Sequence, residues 1–140
     1  MTNISGRRQP RRPKPNAPMS YDAAQTPEFD PAAIERLRAV AGDQSSAFVA
    51  EMAELFLGET RKTLTDLRAA SDKEDWKVVA RLAHSLKSSA ATLGAMRLSA
   101  VCRSLELDVT DGAAGARTRD LVASVLKHFD EAAPTLQSLK

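Results

Sequence analysis

The chain has 140 residues, 43% of them apolar but only 4% aromatic, and a net charge of +2. That is room for one compact domain, and an apolar content dominated by Ala and Leu, with Ile, Tyr and Trp scarce, points to helices rather than sheet. A single cysteine, Cys102, excludes an intramolecular disulfide; with no long apolar run and no signal-peptide pattern, a soluble cytoplasmic protein is expected, without a membrane span.

Residues 1–29 read as a disordered, basic, Pro-rich tail, with the remainder, 30–140, as the folded domain. Arg7, Arg8, Arg11, Arg12 and Lys14 give the first 20 residues a charge of +5 with no acid. The rest of the chain therefore holds 15 basic and 18 acidic residues, net −3. A mildly acidic domain argues against nucleic-acid binding, and five charges without aromatics are most simply a solvated tail.

Asp30-Pro31 predicts a helix start, with Asp30 as N-cap and Pro31 at the first helical position. Ile34, Leu37 and Val40 mark its apolar side and Gly42 ends it. A long second helix is predicted over about 45–70, with Phe48, Met52, Leu55, Phe56, Leu64 and Leu67 as its apolar stripe and Leu57 pointing away. Ser71-Asp-Lys-Glu74 fits a capping box that would open a third helix running to Leu93, with Gly94 as its stop and Trp76 packing across a bundle end. A fourth helix over about 95–109 turns Leu98, Val101, Cys102 and Leu105 inward, Cys102 as a structural thiol. After a loop at 111–116, a fifth helix carries Leu121, Val125, Phe129, Ala132 and Leu136, with His128 at its boundary and Pro134 kinking or ending it. No segment alternates with a period of two. The predicted fold is all-α: an antiparallel up-and-down four-helix bundle with a short additional N-terminal helix, closing within one chain as a monomer.

His84, one of two histidines, lies in the third helix. With Val79 as reference and ~100° per residue, Leu82, Ala83, Leu86, Ala90 and Leu93 fall within about 60° of it and His84 at roughly 140°, which exposes the ring. Its neighbours on that face are Ala80, Arg81, Lys87 and Ser88, with Lys77 and Ala91 a turn further out. They are small or positive, and no carboxylate on this helix reaches the ring. A Ser-His-Asp or Cys-His catalyst needs an orienting partner and a zinc site needs several ligands, so neither an enzyme centre nor a metal site is expected. Small neighbours let another protein approach, and positive ones suit an anionic group attached to the ring.

The run Ala83-His84-Ser85-Leu86-Lys87-Ser88-Ser89, then Leu93-Gly94-Ala95, Leu98, Cys102 and Leu105-Glu106, closely resembles the signature of histidine phosphotransfer (HPt) domains. Gly42-Asp43, Phe56-Leu57, Leu64, Leu67, Ala70 and Asp75-Trp76 extend the likeness over about residues 30–139. The resemblance implies a phosphorelay carrier that takes a phosphoryl group onto His84 Nε2 from a receiver-domain aspartate, or from a hybrid histidine kinase, and passes it to a response regulator. It implies Lys87 as the residue that helps hold the phosphoryl oxygens, and no cofactor of the chain's own, the Mg²⁺ belonging to the partner receiver. Ser88 stands where many members have Gly. Lys77, Ala80, Arg81, Ser88 and Ala91, with exposed parts of the second helix, are the expected docking surface. The alternative is a helical adaptor that binds a receiver or kinase without phosphotransfer.

Overall fold

A computed structural model describes residues 26–139, and the tail predicted at 1–29 lies outside the described residues as far as residue 25. Every regular element described is helical: α1 (Pro31–Ala41), a 3₁₀ turn (Gly42–Gln44), α2 (Ser45–Asp72), α3 (Trp76–Thr92), α4 (Met96–Thr110) and α5 (Ala116–Gln137). Helices α2 to α5 form an antiparallel bundle in which each packs on its neighbours in sequence and α5 closes on α2. The shorter α1 lies on α2 and α3. No described helix is long and apolar enough to cross a membrane.

The helix starts and stops have local causes. Asp30 caps α1 by accepting from the Ala32 N–H at 3.0 Å, and Pro31 occupies the first position, where no N–H is needed. Gly94 ends α3 with φ +84°. Its N–H bonds the Ala91 carbonyl and that of Ala95 bonds the Ala90 carbonyl, which closes a Schellman turn. The Asp30 N–H in turn bonds the Gly94 carbonyl at 2.8 Å, so this turn also anchors the start of α1.

The turn between α2 and α3 corrects the expected capping box. α2 continues through Ser71, which is buried, and ends in another Schellman turn. Glu74 takes the left-handed position at φ +57°, the Glu74 N–H bonds the Ser71 carbonyl and the Asp75 N–H bonds the Ala70 carbonyl. The Ser-x-x-Glu pattern therefore terminates one helix instead of opening the next. Glu74 pairs with Arg119 of α5, whose guanidinium also lies 5.5 Å from the Trp76 ring centroid, so Trp76 does pack across the bundle end. Pro134 does not end α5, which runs on to Gln137.

The core holds Leu67, Val79, Ala83, Leu86, Leu93, Leu98, Val101, Cys102, Leu105, Val125 and Leu136, all buried. Burial pushes the Cys102 thiol up to about 12, as befits a packing residue rather than a reactive one. His128 is buried and its Nδ1 lies 3.1 Å from Glu131 Oε1. Three apolar assignments on α1 and α2 are reversed. Val40 is 80% exposed, and on α2 Leu57 is buried while Leu55 is 60% exposed.

Candidate functional site

Helix α3 presents His84 on its outer ridge with the side chain 63% exposed. The inner face of the same helix is anchored by Val79, Ala83, Leu86 and Ala90. Two of those four are alanines, and Ala95 is also fully buried, so α3 and α4 approach closely. The Ser99 hydroxyl of α4 donates to the Lys87 carbonyl at 2.9 Å and fixes the register between the two helices.

That register carries Glu106 of α4 to the histidine. Glu106 Oε2 lies 2.8 Å from His84 Nδ1, and Oε1 accepts from Lys87 Nζ at 2.7 Å. One carboxylate thus bridges the two residues that the sequence singles out. The carboxylate is largely shielded, 21% exposed, against 30% for Lys87. Burial pushes the Glu106 carboxyl up, but hydrogen bonds from Lys87 and His84, with their charges, outweigh it and hold the group below its ordinary 4.5.

An ionised carboxylate only accepts hydrogen bonds, so the Nδ1 facing it carries the proton. In the neutral ring the lone pair is then on Nε2, the nitrogen away from Glu106. The carboxylate selects the tautomer and leaves the free lone pair on the ring nitrogen turned away from it. Lys87 offers three N–H donors and spends one on Glu106, which leaves two for the oxygens of a group bonded to Nε2.

Sequence reasoning placed His84 and Lys87 together and missed Glu106 as their partner. The expectation that no acid on α3 reaches the ring holds, but the acid comes from α4. Its sequence signal is modest: Glu106 follows buried Leu105 and stands one turn beyond buried Cys102, at the edge of the inward stripe of α4.

The expected docking residues surround the ring. Lys77, Arg81 and Ser88 are exposed along the ridge of α3, and Ala80 and Ala91 are half-buried. Helical geometry puts those two alanines and Lys87 on the flank facing α4. The other flank, with Ser85, Ser89 and Thr92, is one wall of a groove of about 390 Å³. Met52, Leu55, Phe56, Glu59 and Thr63 of α2 supply much of the other wall. The Ser89 and Thr92 hydroxyls donate to the Ser85 and Ser88 carbonyls of their own helix. Leu55, rather than the expected Leu57, is the exposed leucine beside this site. Among the described residues no group of three or more His, Cys, Asp or Glu could hold a metal ion.

A prediction follows from Glu106. Because its pKa is held below the ordinary 4.5, stability from this carboxylate is fully present above 4.5 and is lost as pH falls through its depressed value. The Glu106→Gln variant lacks that contribution at every pH. The gap in urea midpoint between parent and variant should be widest at neutral pH and close on acidification, which a pH series of urea melts will show.

The sequence model of the Hpt domain family matches residues 51–138. The fold matches the crystal structure of histidine-containing phosphotransfer protein B from Pseudomonas aeruginosa with a TM-score of 0.71 and 22% identity, over 80% of this chain and 93% of that one. A search of curated proteins finds no match.

Proposed function

Because the chain belongs to the Hpt domain family, a family of histidine phosphotransfer domains, we propose that His84 is its phospho-accepting residue, through Nε2. The observation that carries this reading is the Glu106 bridge, which holds the proton on Nδ1 of an exposed ring, leaves the lone pair on Nε2 and ties Lys87 to the same carboxylate.

Phosphoryl transfer needs an in-line nucleophile and charge compensation rather than extensive covalent chemistry from the protein. The phosphorylated aspartate of a receiver domain is the donor. The Nε2 lone pair attacks phosphorus, the P–O bond to the aspartate breaks, and the electron pair leaves with the carboxylate. The product ring carries the phosphoryl group on Nε2 and its proton on Nδ1, and is therefore cationic. Glu106 faces that Nδ1–H and balances the new charge, while Lys87 faces the phosphoryl oxygens. Reversal of the same step delivers the group to the aspartate of a second receiver, a response regulator. The receiver contributes its Mg²⁺, so the chain acts as a carrier rather than a complete enzyme and needs no cofactor of its own.

Docking falls on the ridge of α3 around Lys77, Ala80, Arg81, Ser88 and Ala91, and on the adjoining α2 groove with Leu55 at its rim. Small side chains near the ring allow close approach, and Ser88 preserves that clearance. A monomeric, cytoplasmic carrier fits this scheme.

The test is the chemical form of the modified ring. Incubation with a phosphorylated receiver should give an acid-labile, base-stable adduct whose ¹⁵N and ³¹P couplings place phosphorus on Nε2 of His84. An adduct on Nδ1, or on another residue, sinks the assignment, and a stable complex without label favours the adaptor reading.

A further inference from the structure

Loading His84 changes the charge of its surroundings. A phosphoryl group brings close to two negative charges. Two cations stand against it: the phosphorylated ring, protonated on Nδ1, and Lys87. Glu106 touches both, at 2.8 Å from Nδ1 and 2.7 Å from Lys87 Nζ, and so neutralises one of the two. The loaded site is left about one charge negative and calls for a further cation.

Three exposed cations stand nearby, Lys77 and Arg81 on α3 and Arg103 on α4. Side chains on a helix lean back over the preceding turn. The His84 ring accordingly lies over the turn that holds Ala80 and Arg81, and Arg81 is about 5–6 Å away between Cβ atoms. Lys77 stands nearly two turns back, about 10 Å along the axis. The register between the helices decides against Arg103. Ser99 and Glu106 are both fixed on α3, and Arg103 comes four residues after the one and three before the other, so it stays on the α4 side of the ring. Nε2 is the ring nitrogen turned away from Glu106. A group bonded to it extends away from α4, which leaves Arg81 as the cation on its side.

No carboxylate pairs with Arg81 among the described residues, so its guanidinium is uncommitted. The planar fork of a guanidinium presents two parallel N–H groups to two phosphoryl oxygens at once, whereas the ammonium of Lys87 acts as a point charge.

We propose that Arg81 holds the phosphoryl group on His84, and that this contact, made only in the loaded chain, draws the transfer equilibrium toward His84. The inference rests on the phosphotransfer reading above, which places Arg81 on the docking ridge; here it acts on the phosphoryl group itself. The two roles have different signatures. A docking contact is gone once the proteins separate, so it changes the rates of transfer in both directions and cancels from the equilibrium. A contact with the bound phosphoryl group persists after separation and shifts the equilibrium itself.

The experiment mixes the full chain with a receiver domain charged by acetyl phosphate. Phosphate-affinity electrophoresis gives the constant for exchange between the two proteins. Arg81→Gln should lower that constant about fivefold at low salt, the worth of one charge contact in water. Arg81→Lys should recover part of the loss. Arg103→Gln, which removes the same charge from α4, should leave the constant unchanged. In the parent, the Arg81 Nε–H resonance should shift on loading. An unchanged constant in Arg81→Gln, even with slower transfer, overturns the proposal. An equal loss in Arg103→Gln also overturns it, because net charge alone then accounts for the effect. A parent that takes no label fails the His84 assignment and this inference with it, whereas a labelled parent with an unmoved constant in Arg81→Gln fails this inference alone.

Discussion

The His84→Gln variant is expected to accept no phosphoryl group from a phosphorylated receiver while keeping the parent's fold. The glutamine amide can accept a hydrogen bond from Lys87 or a partner, but it has no nucleophilic lone pair on nitrogen, so the loss should exceed about 10³-fold in labelling rate. The side chain being replaced is 63% exposed and contributes nothing to the inner face of α3. Stability should therefore change by less than about 0.5 kcal/mol. Labelling kinetics and a urea melt on the same preparation separate chemistry from folding. Persistent labelling of the variant would transfer the acceptor role to another side chain.

The Gly94→Ala variant should lose about 2–4 kcal/mol of stability, a large share of what holds a domain of this size together. The left-handed conformation alone costs an alanine about 1–2 kcal/mol. Beyond that, the new Cβ would lie 2.6 Å from the Asp30 carbonyl oxygen, a backbone atom that cannot swing aside as a side chain does. The Asp30 carbonyl accepts from the Ala33 N–H, and the Asp30 N–H donates to the Gly94 carbonyl, so relief of the clash strains the start of α1. Gly112→Ala is the control. Its φ is +77° but its Cβ meets nothing within 4 Å, so only the conformational cost of about 1–2 kcal/mol should appear. Equal urea midpoints for the two variants would show that the Asp30 contact carries no weight.

The fold was legible wherever a helix turns one face inward and ends on a residue with a special backbone role. Asp30, Gly42 and Gly94 mark boundaries because a cap or a positive φ is needed there. The stripes on α3, α4 and α5 were read correctly for the same reason. Helix α2 was harder, because it packs on α1, α3 and α5 at once. Its buried arc is wide and centres on Val49, Ala53, Leu57, Thr60 and Leu64. Ala53 and Thr60 carry little apolar weight, whereas Phe48, Met52 and Leu55 cluster on the groove side and draw the apparent stripe toward themselves. Glu74 hid its role differently, since a left-handed glutamate has no compositional signature. At the site, helical periodicity reports which residues share a face of α3. It does not report which residue of α4 crosses opposite them, and so His84 and Lys87 were visible while their shared carboxylate was not.

The Ser99 bond to the Lys87 carbonyl and the bridge at Glu106 make the site a property of two helices rather than one. A partly folded chain with an intact α3 would still display an imidazole. Without α4 in place, however, nothing would hold the proton on Nδ1 or balance the charge of the phosphorylated ring. A shift of α4 by one residue, about 1.5 Å along its axis and ~100° around it, is enough to carry the carboxylate off the ring. On the proposed phosphotransfer reading, competence to carry phosphate is thereby tied to completed folding, and a copy without α4 docked would be a poor recipient.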